Sequence, residues 1–342
     1  MIRLFLIIFF SSLLLLSLSV NAEQVLFSKK ERDNDYKFDY RWLDQQGDAQ
    51  NLSFILDKHA IFDRFRNFKS FKADMAKVSV NNALQKKLRT ERIKGVIIDF
   101  SKNSSDGEIK IRGRDNQAVN AAYTRVYQLK QSLTADYLAD NFYQQFTTHD
   151  QINAVKPDHA RFANISSADL KSIKPSILEK FSIKNIRKVT NYVLGFVQSI
   201  PYSTLESRLT ASGAGFNPPL KLLWENQGDC DSKVTLTASI LRTLMPRIKM
   251  VLVFIDNHAL IGIEIPAKSD DLTITLNGAS YVLAEPTGPG LFNLGEIAIE
   301  SELAIGNGHY VAEQFHALPK LKKQPTEKSN DVSVESPRKD DQ

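Results

Sequence analysis

The sequence predicts an α+β fold whose strands pair mainly in antiparallel fashion. Short apolar stretches of strand length end in turn signals, and the next such stretch begins directly after the turn, as in hairpins. The dipeptide Asn277-Gly278 lies between strand-like residues 272–276 and 280–284 and favours a type I′ hairpin turn. Longer stretches with helical periodicity separate the strands, and no segment repeats along the chain.

The first 22 residues have the composition of an export signal. Arg3 precedes an apolar run that extends to Leu16, and Val20-Asn21-Ala22 fits the pattern at a cleavage site. The apolar run is shorter than the roughly 20 residues that span a bilayer, which favours cleavage over the alternative of an uncleaved anchor. The sequence therefore predicts a mature chain that starts near Glu23, is periplasmic or secreted, and has no stable membrane insertion.

Charge and cysteine content narrow the function classes. The formal net charge of +5 falls to about +4 without the signal, and basic and acidic residues are interspersed, so no nucleic-acid partner is predicted. Cys230 is the single cysteine, so packing and not an internal disulfide must stabilise the fold. Residues 321–342 are rich in Lys, Glu, Ser, Asp and Pro, and we predict a disordered polar tail.

Residues 23–160 are predicted to form an N-terminal α+β region of unknown role, without a catalytic motif. Alternating residues 36–42 and 52–56 flank the turn signal Gly47-Asp48 and predict two strands. The other predicted elements are a helical stretch from His59 to Lys87, strands at 95–100 and 108–111, and a helical stretch from Ala118 to Phe146. The histidines His59, His149 and His159 lack metal-ligand spacing and are interpreted as surface residues.

Residues 161–320 are predicted to form a second domain, because a polar stretch at 150–167 contains Pro157 and separates the two halves. The predicted elements are helices at 167–181 and 185–199, a loop at 212–219, a helix from Cys230 that Pro246 stops, strands at 250–255 and 258–265, and the hairpin at 272–284.

Cys230 lies where a loop becomes the third of these helices, in the run Gly228-Asp229-Cys230-Asp231. A thiol at a helix start is close to the positive end of the helix dipole and to unpaired backbone N–H groups, so we expect a lowered pKa and a reactive thiolate. Asp229 is suited to cap the helix. Taken alone, a single cysteine is more often a small buried hydrophobic residue than a nucleophile.

His258 and Glu285 follow Cys230 in the order nucleophile, base, orienting carboxylate, and each lies at the edge of a predicted strand. Both have structural alternatives. A histidine at the start of a strand can serve only as a hydrogen-bonding residue, and a glutamate before proline can simply end a strand. Asp256 is an alternative orienting acid.

Four stretches resemble the transglutaminase-like cysteine hydrolase superfamily. Residues 196–202 are similar to the helix end before the family's core, and Gly228-Asp229-Cys230-Asp231 is similar to its nucleophile helix. Asn257-His258-Ala259 resembles the histidine strand, and Leu283 to Gly288 resembles the strand-terminal acid before Pro-Thr. The resemblance covers about residues 180–295 and implies a papain-like core, with the nucleophile helix packed on an antiparallel sheet. One departure is Glu285, where the family usually has Asp.

The resemblance implies a Cys230-His258-Glu285 triad in an exported cysteine protease or transglutaminase-like acyltransferase that acts on protein or peptide amides. Donors to the oxyanion would be the backbone N–H of Cys230 and a side chain such as Tyr202 or Gln227. No cofactor and no metal site are predicted, because Asp229 and Asp231 alone offer too few oxygen ligands for calcium. The alternative is a non-catalytic binding or assembly module of the cell envelope. The sequence does not predict an oligomeric state.

Overall fold

The computed structural model describes residues 22–100, 109–206 and 215–316. The predicted export signal before Ala22, the loop at 103–107, the start of the loop at 212–219 and the predicted tail at 321–342 lie outside the described residues. The helices are α1 (Lys58–Phe62), α2 (Ala73–Thr90), α3 (Asn116–Asp140), α4 (His159–Asp169), α5 (Ile173–Leu178), α6 (Ile186–Ser199), α7 (Pro219–Glu225), α8 (Cys230–Leu244) and α9 (Ile299–Gly306), with a 3₁₀ turn at Leu170–Ser172. The strands are β1 (Gln24–Glu31), β2 (Asp35–Leu43), β3 (Ala49–Asp57), β4 (Val96–Phe100), β5 (Ile109–Gly113), β6 (Tyr143–Thr147), β7 (Asn153–Pro157), β8 (Met250–Ile255), β9 (His258–Ile263), β10 (Thr273–Leu276), β11 (Ala279–Ala284) and β12 (Val311–Phe315).

The α+β class with antiparallel sheets is confirmed. The largest described sheet has the order β10-β11-β9-β8-β12, and every neighbouring pair in it is antiparallel. The hairpin between β10 and β11 turns at Asn277 and Gly278, whose φ angles of 53° and 79° suit a type I′ turn, as predicted. Helix α8 packs against β9, and α4, α6 and α7 pack around the same helix.

The N-terminal sheet has the order β1-β2-β3. Its inner face alternates along β2, where Phe38, Tyr40 and Trp42 are buried, and along β3, where Leu52 and Phe54 are buried. These two strands agree with the prediction. The edge strand β1 was not predicted, because it has no buried residue and its composition is mixed.

Two predicted helical stretches were too long. The stretch from His59 to Lys87 is broken between α1 and α2, where Phe65 and Phe68 leave the helical path and pack their rings at 4.8 and 5.0 Å from that of Phe162. The stretch that was predicted to reach Phe146 ends with α3, because Phe142 has a φ of 62° and the chain then enters β6. Tertiary aromatic packing and one left-handed residue therefore override helical periodicity.

One hydrophobic cluster joins the N-terminal sheet to the elements around α8. The ring of Phe196 on α6 lies 4.9 Å from that of Tyr40 and 5.4 Å from that of Trp42 on β2. Gly195 permits this approach, because a Cβ atom there would lie 3.2 Å from Trp42 Nε1. The polar stretch predicted as a boundary forms β7 and α4, and α4 packs on α8. The predicted division between residues 160 and 161 thus crosses a continuous core.

Among the described residues, no helix has both the length and the apolar character needed to cross a membrane.

Phe196→Ala tests this shared core. Phe196 is 1 % exposed and contacts β2 from α6, so the truncation should lower the free energy of unfolding by about 3–5 kcal/mol. Urea unfolding followed by tryptophan fluorescence measures the loss. Tyr127→Ala is the control, because Tyr127 is 63 % exposed and should change stability by no more than about 0.5 kcal/mol. A small loss at Phe196 would contradict a continuous core.

Candidate active site

Cys230 is the first residue of α8, and Asp229 caps this helix as predicted. The Asp229 carboxylate accepts a hydrogen bond of 3.0 Å from the backbone N–H of Ser232. The chain enters the cap through Asn226, whose φ of 52° reverses its direction after α7. Gly228 fits here because a Cβ atom would lie 2.6 Å from the Leu222 side chain. The local sequence therefore places the thiol at the start of a buried helix.

A short backbone ladder brings Tyr202 to the same place. The N–H of Gly228 donates to the carbonyl of Pro201 at 3.2 Å, and the N–H of Ser203 donates to the carbonyl of Gly228 at 3.1 Å. Tyr202 is 53 % exposed and lines a cavity of about 560 Å³ together with Cys230. Gln227, the other oxyanion candidate, is not among the described residues that line this cavity.

His258 and Glu285 are brought together by two neighbouring strands. His258 begins β9, Glu285 follows the end of β11, and Ala284 pairs with Ile261 across the two strands. The imidazole Nε2 lies 3.0 Å from Glu285 Oε1. This contact leaves Nδ1 as the ring nitrogen that can serve a thiol.

The Glu285 carboxylate is held at both oxygens. Its Oε2 accepts a hydrogen bond of 2.9 Å from the N–H of Ala298, while the Glu285 carbonyl accepts one of 2.8 Å from Gln198 Nε2. Glu285 is 5 % exposed. A buried carboxylate with fixed partners can orient the imidazole and stabilise its protonated form.

Cys230 and His258 line the same cavity. The Cys230 thiol donates weakly to the carbonyl of Asn257 at 3.7 Å and to Asp231 Oδ1 at 3.6 Å. Asn257 is the residue directly before His258 and has a φ of 55° in the β8–β9 turn. The structure therefore brings all three predicted residues to one place, with the sulfur beside the turn that carries the imidazole.

Asp256, the alternative orienting acid, points elsewhere. Its side chain is 77 % exposed, and its carboxylate lies 3.6 Å from His149 Nδ1. The ring of His149 stacks on that of His309 at 5.1 Å. Glu285 and not Asp256 is thus the carboxylate at His258.

The surroundings of the thiol oppose the expected lowering of its pKa. Cys230 is 8 % exposed, and burial raises its pKa well above the ordinary value, with the negative charges of Asp231 and Asp229 adding to the effect. Burial, together with the charge of Asp231, also raises the pKa of Asp229 to about 7. The helix dipole and the unpaired backbone N–H groups favour the thiolate, but desolvation and the two flanking carboxylates outweigh them. The resting cysteine is therefore a neutral thiol.

The N-terminal half contributes to this site, which the sequence did not predict: the cavity is lined in part by Phe146, Thr148, His149 and Lys156. Lys156 on β7 lines the cavity, and its Nζ lies 2.8 Å from Glu313 Oε1. His159 was interpreted as a surface residue, which is wrong: it is 1 % exposed and its Nε2 lies 3.5 Å from Asp231 Oδ2. Pairing of β6 with β7 carries Lys156 there, and this hairpin was not predicted.

Within the described part of the chain, no group of three or more His, Cys, Asp or Glu side chains is arranged to hold a metal ion.

Comparison with protein-family models, with curated protein sequences and with solved structures finds no match to this chain.

Asp231→Asn tests the electrostatic control of the thiol. Because the charge of Asp231 raises the pKa of Cys230, its removal should increase the thiolate fraction and speed alkylation by iodoacetamide at pH 8 by about threefold to tenfold. Mass spectrometry of the Cys230 peptide measures the rate. Asp256→Asn is the matched control, since this carboxylate lines the same cavity but is largely exposed and screened. An unchanged rate in Asp231→Asn would contradict this account.

Proposed function

We propose that this chain is a cysteine-dependent amide hydrolase or acyltransferase with a transglutaminase-like core. The observation that carries the proposal is the hydrogen bond between His258 Nε2 and Glu285 Oε1 beside a cavity that Cys230 and His258 both line. A nucleophile, a base and an orienting carboxylate are the groups that acyl transfer through a covalent intermediate requires.

The layout of the core supports the family resemblance. Cys230 opens a helix that packs against β9, and β9 and its antiparallel neighbour β11 carry the histidine and the acid. This is the arrangement that the resemblance implies for a papain-like core. The proposed setting is periplasmic or secreted, with a protein or peptide as substrate.

Because the resting thiol is neutral, proton transfer and attack take place together. His258 Nδ1 removes the Sγ proton as the sulfur bonds to the amide carbonyl carbon, and Glu285 stabilises the imidazolium that forms. The Cys230 N–H is in the first turn of α8, where no intrahelical acceptor exists, and it can donate to the oxyanion together with the Tyr202 hydroxyl.

Collapse of the tetrahedral intermediate breaks the C–N bond. The imidazolium returns its proton to the leaving amine, and a thioester to Cys230 remains. Water then attacks the thioester in a hydrolase, whereas an amine attacks it in a transferase, and His258 takes the proton of either acceptor. The C–S bond then breaks and the imidazolium gives this proton to the sulfur, so that both outcomes regenerate the thiol.

The second candidate is a non-catalytic binding or assembly module with the same core. One observation favours it: burial and the two flanking aspartates raise the pKa of the thiol, which disfavours a preformed thiolate. In this alternative the His258–Glu285 pair is structural, and the cavity receives a partner without reaction.

Substitutions in the triad separate the two functions. Cys230→Ala and His258→Ala should each abolish amide cleavage or amine incorporation, and the double variant should be little worse than either, because nucleophile and base act as a unit. Glu285→Gln should reduce this activity less, because the amide keeps a hydrogen bond to the imidazole ring although it lacks the negative charge. Amine release from peptides and incorporation of a labelled primary amine provide the measurements.

Cys230→Ser is the decisive control in cells. Serine keeps the fold and nearly the volume of cysteine but is a much weaker nucleophile. If a stably exported Cys230→Ser variant fails to restore the wild-type phenotype of cells that lack the protein, the result supports catalysis. Full complementation by this variant would contradict the enzyme hypothesis and favour the non-catalytic binding or assembly module.

A further inference from the structure

Lys233 is a lysine in the interior of the protein. It lies on α8, its side chain is 0 % exposed, and its ammonium donates a hydrogen bond to the carbonyl of Ile200 at the end of α6. Across the described ranges, no carboxylate oxygen is close enough to form an ion pair with this ammonium. Among the described residues, the neutral carbonyl of Ile200 is thus the one hydrogen-bond acceptor that this ammonium meets.

Such a buried ammonium is costly for stability. Burial lowers the pKa of Lys233 to about 8, so the charged form is less stable inside the protein than in water. Methionine has a similar length, needs no hydrogen bond and would fill the same space. Stability alone therefore gives no reason for a lysine at this position.

The position relative to Cys230 gives a different reason. Lys233 follows Cys230 by three residues, which places the two side chains on the same side of α8 one turn apart. The charges of Asp229 and of an ionised Cys230 both act on its ammonium. The acceptor Ile200 lies two residues before Tyr202, and the ladder from Pro201 to Gly228 joins this segment to the cap of α8.

We propose that Lys233 is a positioning residue for acyl transfer by Cys230. Its ammonium fixes the Ile200 carbonyl, and with it the segment that carries Tyr202, against the first turn of α8. Its positive charge also offsets Asp229 at the moment when the thiol loses its proton to His258. This role rests on the proposed function, but its effect on the thiol can be measured without a substrate.

Lys233→Met and Lys233→Gln are the informative variants. Methionine removes charge and hydrogen bond, whereas glutamine keeps a donor for Ile200 and removes only the charge. At pH 7 the wild-type ammonium is charged, so we expect both variants to slow alkylation of Cys230 by iodoacetamide about tenfold. With a substrate, kcat should fall about tenfold or more while KM changes less than about threefold.

The stability of the Lys233→Met variant should change in the opposite direction from its reactivity. The pKa of Lys233 is lower in the folded chain than the roughly 10.4 of an unfolded lysine, so the unfolded state binds this proton more tightly. The lysine therefore weakens folding at pH 7, and this penalty fades as the pH rises from 8 towards 10. Lys233→Met should melt at the same temperature as the wild type or higher at pH 7.

Arg242→Met is the matched control on the same helix. Arg242 is 6 % exposed and donates to the carbonyls of Ile248 and Phe315, but it lies twelve residues after Cys230, about 18 Å along the helix axis. This variant should melt at a lower temperature, while alkylation of Cys230 in the folded protein should stay at the wild-type rate.

An unchanged alkylation rate in a folded Lys233 variant would overturn the proposal. If neither variant folds, the pH dependence of the wild type provides the test. Above pH 8 Lys233 loses its proton, so the rate of Cys230 alkylation should rise by less than tenfold per pH unit. Asp229 is already ionised in that range, and burial raises the pKa of Tyr202, so neither group mimics the effect. Burial also lowers the pKa of Lys156 in the same cavity, so the profile is recorded in Lys156→Met as well, where the shallower rise should persist. A full tenfold rise in the alkylation rate per pH unit would contradict an effect of the Lys233 charge on Cys230. Failure of the enzyme hypothesis can be distinguished from failure of this proposal, because it would appear as full complementation by Cys230→Ser in cells.

Discussion

Burial of α8 on all sides is the constraint on which the rest of the structure depends. From Val234 to Leu241 every residue of the helix is buried, against β9 on one side and against α4, α6 and α7 on the others. Its internal hydroxyls turn back on the helix: Thr237 donates to the Lys233 carbonyl and Ser239 to the Thr235 carbonyl. Because the helix cannot move without opening the core, its first residue, Cys230, is fixed relative to the strands that carry His258 and Glu285.

The same burial controls the electrostatics at the helix start. Charges there interact in a medium of low dielectric constant, so the effects of Asp229 and Asp231 on the thiol are larger than they would be at a surface. Desolvation outweighs the favourable dipole at the N-terminus and keeps the thiol neutral at rest. A neutral buried thiol is also less prone to oxidation, which suits a cysteine without a disulfide partner.

Local signals predicted the elements that carry the site, and long-range packing explains what was missed. The Asp229 cap, the strand before Asn257 and the Asn277-Gly278 turn are encoded within a few residues, and each is present in the structure. The positions of Lys156 and His159 depend on the β6–β7 hairpin and on α4 packing against α8, contacts that no nearby residue indicates. The raised pKa of Cys230 has the same origin, because burial is a property of the whole fold.

Glu285 departs from the aspartate that the family resemblance leads one to expect, and its contacts offset the departure. Glutamate has one more rotatable bond, so more side-chain entropy must be lost to hold its carboxylate at His258. The hydrogen bond from the Ala298 N–H to the second carboxylate oxygen restricts that freedom, and Gln198 holds the Glu285 backbone carbonyl. The extra length is therefore confined by fixed partners on both sides, and the imidazole meets an oriented carboxylate as it would beside a shorter aspartate.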